Sequence, residues 1–172
     1  ERLQELGAEV LELPTIELAP LPDYRLLDEA IARLESYDWL IFTSANGVRF
    51  FVERLDRSQR DLRAIRGRVC AIGPATRAAV ERLHLKVDLM PGEFVAEAVV
   101  EAFRHLSLRG QRVLLPRAAA AREVLPEQLR AMGAIVDVAP AYQTLMPAAT
   151  PERAARILAQ QPDWLLFTSS ST

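Results

Sequence analysis

Apolar positions along the 172-residue chain alternate between two periods. Residues 23–35 place Leu26, Leu27, Ala30, Ile31 and Leu34 at helical spacing. The run at 38–43 is short, apolar and closed by small polar residues, which predicts a buried strand. Helical spacing returns at 47–55, with Asn46 as the expected N-cap. A strand follows at 69–72, then a helix at 75–83 with Pro74 in the first-turn position that proline tolerates. A short strand at 86–89, a helix at 95–106, a strand at 112–115, a helix at 121–132 and a strand at 134–138 complete the series. Gly133 stands where a C-cap glycine belongs. Five strands alternating with helices predict a mostly parallel, doubly wound α/β sheet with right-handed crossovers.

Two pieces of the chain recur. LQELGAEVLELP at 3–14 and LRAMGAIVDVAP at 129–140 share Leu, Gly, Ala, Val and Pro at an offset of 126. DWLIFTS at 38–44 and DWLLFTS at 163–169 agree at six of seven positions at an offset of 125. A period of ~125 residues is too long for a solenoid and suits a duplicated α/β domain. Two such units need roughly 250 residues, so the sequence reads as one complete unit flanked by pieces of a second. PTIELAPLP at 14–22 and the proline-punctuated stretch from Pro140 lie at either end of the complete unit and read as linkers. The expected organisation is an outer domain at 1–13 and 151–172, incomplete in this chain, linkers at 14–22 and 140–150, and an inserted central domain at 23–139. In fold class this is two flavodoxin-like, doubly wound parallel-sheet domains joined by a two-stranded linker.

Composition narrows the function. Half of the residues are apolar and 26% are charged with the signs mixed, which fits a folded globular protein rather than a disordered or disulfide-held one. The net charge of −2 provides no basic field to gather nucleic acid or anionic lipid. No apolar run reaches the ~18 residues of a spanning helix. The single cysteine, Cys70, lies mid-strand and reads as a buried thiol in a cytoplasmic protein. His84 and His105 each stand near a predicted helix end and read as caps or solvated groups. The chain has no phosphate loop, dinucleotide fingerprint, zinc-protease helix or nucleophile elbow.

What remains is the carboxyl edge of the sheet, where open α/β folds bind ligands. Thr43, Ser44 and Asn46 follow the first strand, and Gly73 and Thr76 follow the second. Arg117 follows the fourth strand with Arg122 close behind, and Tyr142 follows the fifth. The second copy repeats the device with Thr168, Ser169 and Ser170. Hydroxyls and amides at helix starts make a seat for carboxylates, although N-capping alone also explains Ser and Thr there. Packing in the linker likewise explains Tyr142.

DWLIFTSANGV at 38–48, AIGPAT at 71–76, LLPRA at 114–118, LP-x-x-L at 125–129 and PAYQT at 140–144 occur in the order and spacing of one family. Together they resemble uroporphyrinogen-III synthase, over nearly the whole chain. The resemblance implies two α/β domains, one inserted in the other, and no metal or organic cofactor. It implies cyclisation of hydroxymethylbilane, a linear tetrapyrrole carrying acetate and propionate side chains, with loss of water and inversion of ring D. The product, uroporphyrinogen III, leads to haem, sirohaem, cobalamin and chlorophyll. Tyr142 becomes the candidate proton donor to the departing hydroxyl. Thr43, Ser44, Asn46, Gly73, Thr76, Arg117, Arg122, Thr168, Ser169 and Ser170 become substrate-binding candidates. The implied partners are the bilane and, by hand-over, hydroxymethylbilane synthase, with no nucleic acid or membrane, for a monomeric enzyme. A chain lacking part of the outer domain is expected to be inactive. Two readings from other classes fit the same residues: a non-catalytic two-domain module that binds a polycarboxylate, and an interaction scaffold whose polar strand ends are only caps.

Overall fold

The computed structural model describes residues 2–166. In chain order the elements are α1 (Arg2–Glu5), β1 (Glu17–Ala19), α2 (Arg25–Ala32), β2 (Trp39–Phe42), α3 (Ala45–Leu55), β3 (Arg68–Ala71), α4 (Pro74–Glu81), α5 (Ala96–Phe103), β4 (Arg112–Ala118), α6 (Val124–Ala131), β5 (Ile135–Leu145) and α7 (Thr150–Leu158). The expected α/β alternation is present. The chain divides into a unit spanning Pro20–Gln143 and a second unit formed by its two ends, up to Ala19 and from Thr144.

In the larger unit four parallel strands stand in the order β5-β4-β2-β3. Their side chains alternate between two apolar layers. Trp39, Ile41, Cys70, Val113, Leu115 and Val136 pack with Val99, Phe103, Leu125 and Leu129 of α5 and α6. Trp39 meets Phe103 edge to face at 4.8 Å. The alternate positions Leu40, Phe42 and Leu114 are also buried, as are Leu27 and Ile31 of α2 and Phe51 and Leu55 of α3. Phe42 and Phe51 meet edge to face at 5.5 Å. The unit's ends are tied by Gln143 Nε2, which donates to the Pro20 carbonyl at 2.8 Å.

Three expectations are corrected. Residues 86–89 form no strand; they meet β3 through one isolated bridge between Cys70 and Leu89. The Ala71 N–H donates to the Leu89 carbonyl at 3.0 Å, but the Asp88 carboxylate takes the Val69 N–H at 2.7 Å, and the backbone pairing goes no further. The N-cap of α3 is Ser44, and Asn46 lies inside the first turn. Finally, α6 begins at Val124 rather than at 121. Pro126 has no N–H for the Arg122 carbonyl, and its ring crowds that carbonyl in a helix extended upstream.

The sheet opens where its connections reverse direction. β4 and β5 stay paired from Arg112 to Ala118, in register as far as Arg117, but β2 and β4 pair only at Trp39–Val113 and Leu40–Leu114. Pro116, unable to donate to a ladder, lies beyond that pairing. Gly47 of α3 fills the gap: a Cβ there would stand 3.2 Å from the Pro116 carbonyl oxygen. This is the topological switch point, the usual ligand crevice of an open α/β sheet.

In the smaller unit, Thr150 Oγ1 at the start of α7 donates to the Pro14 carbonyl at 2.8 Å. Leu6, Ile16, Leu158 and Trp164 are exposed, Trp164 at 84%.

Candidate functional site

The crevice is furnished from both sides. Thr43 and Ser44 follow β2, and Ser44 turns its side chain back to cap α3, accepting the Gly47 N–H at 2.9 Å. The same oxygen stands 3.2 Å from the Tyr142 hydroxyl. Tyr142 reaches it because β5 carries a bulge: Arg117 pairs with Pro140, yet Ala118 pairs with Tyr142. Strict alternation would put Tyr142 on the face of Val136, towards α5 and α6. The extra residue turns it to the other face, a recognised use of bulges near ligand sites. There its ring stacks on Phe50 of α3, with centroids 5.0 Å apart and planes 14° from parallel. Arg49 lies over the far partner of this stack, 4.3 Å from the Phe50 centroid.

The next strand end repeats the arrangement without a hydroxyl cap. Gly73 is the N-cap of α4, Pro74 follows at the first helical position, and no side chain among the described residues caps the helix. Its first-turn amides are therefore left for water or an anion. Thr76 is buried in that turn. Phe94 covers Gly73 closely enough that a Cβ would meet its ring at 3.1 Å, while the ring stays 56% exposed.

On the other flank Arg117 is buried, 5% exposed. Its Nη1 donates to the Arg122 carbonyl at 2.7 Å, and Nη2 pairs with the Glu123 carboxylate. Arg117 is thus not presented as a free charge, contrary to expectation, because the strand's alternation carries its side chain inward with Val113 and Leu115. Arg122 is exposed and stands 3.8 Å from Glu97. Asn46 is exposed beside Ser44. Thr168, Ser169 and Ser170 lie outside the described residues. Burial pushes the Cys70 thiol up to about 12, which removes it as a nucleophile near neutral pH. The sequence reading missed Phe50, Phe94 and Glu123. Each acts through a partner remote in sequence or across a loop, and no local pattern marks it.

A family model described as uroporphyrinogen-III synthase HemD matches residues 1–172. The chain belongs to the uroporphyrinogen-III synthase family. It is 37% identical over 173 residues to the uroporphyrinogen-III synthase of Synechococcus elongatus, an alignment covering 99% of this chain and 65% of that protein. It is 34% identical over 178 residues to a putative uroporphyrinogen-III synthase of Methanothermobacter thermautotrophicus, covering 100% and 68%. A mutant uroporphyrinogen III synthase from Thermus thermophilus superposes with a TM-score of 0.70 at 21% identity, over 90% of this chain and 59% of that one. The synthetase from Helicobacter pylori gives 0.56 at 20%, over 87% and 64%. At such identities the structural likeness is one of fold. The chain therefore spans a little under two thirds of the Synechococcus member of the family.

Proposed function

We propose that this protein acts as a uroporphyrinogen-III synthase, closing hydroxymethylbilane with loss of water and inversion of ring D. The observation that carries this reading is the Ser44–Tyr142 pair at the switch point, in a chain whose whole length matches the family. Ser44 Oγ has one proton and two lone pairs, and the Gly47 N–H uses one lone pair. Whichever hydroxyl donates to the other, one O–H of the pair stays unspent. That proton is offered to the terminal hydroxyl of the bilane, which departs as water and leaves an azafulvene-type cation. Ring closure then runs through a spiro intermediate. Because the bilane left alone closes to the type I isomer, the protein's work is to hold the chain ends for the inverted closure.

The amides at the starts of α3 and α4, with Thr43, Thr76, Asn46 and Gly73, supply seats for acetate and propionate groups. Arg122 adds exposed charge. Thr168, Ser169 and Ser170 are proposed to do the same from the second copy of the motif. The division of the chain at Ala19 and Gln143 supports a two-domain architecture with one domain inserted in the other. We place the protein in the cytoplasm as a monomer that receives its unstable substrate from hydroxymethylbilane synthase. No described helix is long and apolar enough to cross a membrane.

The test mixes the full-length protein with fresh hydroxymethylbilane and separates the oxidised porphyrins by chromatography. Type III in excess is the expected result. Type I alone, in the ratio of the uncatalysed reaction, overturns the proposal. Tight binding without a change in that ratio replaces it with the polycarboxylate-binding module.

A further inference from the structure

We propose that Arg117 is a positioning residue, which from inside the fold holds residues 119–123 as an open loop beside Tyr142. The proposal deepens the reading above and rests on it. The loop begins Ala119-Ala120-Ala121, the strongest helix-forming residue three times over, two residues ahead of α6. It is nevertheless not helical. Pro126 explains half of this, since it denies the Arg122 carbonyl its helical donor. Arg117 explains the rest: Nη1 supplies that carbonyl with a different donor at 2.7 Å, and Nη2 draws in the Glu123 carboxylate.

Burying a guanidinium is costly unless its N–H groups are satisfied. Two of Arg117's nitrogens are committed to the loop, and Nε has no partner among the described residues. A methionine or leucine would fill the same space without that cost. The arrangement is therefore not one that packing alone requires. What it maintains is an exposed stretch of backbone, residues 119–123, bearing side chains no larger than methyl until Arg122. Within that stretch the Ala119 N–H donates to the Tyr142 carbonyl at 2.8 Å. The loop held by Arg117 is thus bonded directly to the residue whose hydroxyl meets Ser44. Displacing the loop moves Tyr142 against Ser44, and lets the alanines wind onto α6.

The experiment compares R117M, R117K and E123Q in the full-length protein by steady-state kinetics, thermal unfolding and backbone NMR. For R117M, kcat/KM is expected to fall by about 100-fold, the scale of an ångström-sized misplacement. R117K should not restore it beyond about threefold, because an ammonium cannot span two divergent acceptors. E123Q keeps an acceptor oxygen and should stay within about threefold of the wild type. Amide resonances of 119–123 and Tyr142 should shift in R117M while those of β2 and β3 do not. A purely structural Arg117 would lower activity only with the folded fraction and leave the loop resonances in place; that result overturns the proposal. So does R117M at wild-type kcat/KM. A wild type that makes no type III isomer removes the synthase reading, and the loop resonances then decide Arg117 by themselves.

Discussion

The hydroxyls of Ser44 and Tyr142 stand 3.2 Å apart, from residues separated by 98 positions in the chain. One belongs to a helix cap and the other to a bulged strand, and neither element alone would bring them together. The cap fixes Ser44 because the first turn of α3 needs an acceptor there. The stack on Phe50, further along the same helix, fixes the Tyr142 ring. Both anchors are parts of α3, so the pair keeps its geometry through one rigid element.

Removing either hydroxyl should therefore cost more than a single hydrogen bond. Tyr142→Phe keeps the stack and is expected to lower kcat by about 10²-fold, within the range of general acid catalysis, with KM little changed. Ser44→Gly loses only a few tenths of a kcal/mol of capping, whereas Ser44→Ala loses about 1 kcal/mol. Equal kcat values for these two variants, with different melting temperatures, would separate the catalytic part of Ser44 from its cap. In the double variant with Tyr142→Phe the two kcat losses should fall well short of additive, as expected for groups that act as a unit. Full additivity would show that the two hydroxyls work apart.

Much of this candidate site is legible in the sequence. Thr43-Ser44 after an apolar run, Gly73-Pro74 after another and Tyr142 after a third follow from strand-end chemistry alone. What local pattern cannot show is register. The bulge that reverses Tyr142 depends on how β5 meets β4 beyond Pro140, and the stack on Phe50 depends on where α3 crosses the sheet. Asp88 falls within the short strand expected at 86–89, yet its carboxylate replaces a backbone acceptor for Val69 and the pairing stops there. Pro126 was visible in the sequence, and its effect on the Arg122 carbonyl was derivable there. The alanine run ahead of it favours an earlier helix start on propensity alone.

Gly67 should tolerate no side chain. A Cβ would lie 2.4 Å from the Tyr37 carbonyl oxygen and 2.6 Å from the Asp38 carbonyl group, all backbone. Asp38 links the strands here, its carbonyl accepting the Arg68 N–H at 2.9 Å and its N–H donating to the Arg112 carbonyl at 2.9 Å. Gly67→Ala is expected to destabilise by about 2–3 kcal/mol, the upper range for overpacking, read from the urea midpoint at constant slope. A loss below about 0.5 kcal/mol would mean that the neighbouring loop yields freely.

Cys70 sets a limit at high pH. Its thiol sits at about 12 in the folded chain, against a reference of 9.0, because burial opposes the thiolate. The folded state thus holds the proton more tightly than the unfolded state does. The contribution is fully present below about pH 9 and is lost as pH rises towards 12, a change on the order of 4 kcal/mol for a shift of this size. Cys70→Ala should flatten the fall in stability across that window. A thiol reagent at pH 8 should modify the wild type only as fast as it opens. Immediate stoichiometric modification of folded protein would contradict the burial.

Pro126→Ala tests whether the open loop is maintained against the local preference of its sequence. The new N–H gives the Arg122 carbonyl a helical donor in competition with Arg117, and the alanines upstream favour propagation. Helix α6 is then expected to start up to about one turn earlier, visible as helical carbon shifts at 120–123. Pro126 is itself buried, so lost packing offsets part of the added hydrogen bonding, and the net stability change should stay within about 1 kcal/mol. Activity should fall nonetheless, since the Ala119–Tyr142 bond is drawn away with the loop. A variant that gains helix while keeping full turnover would show that the loop's open form has no part in the reaction.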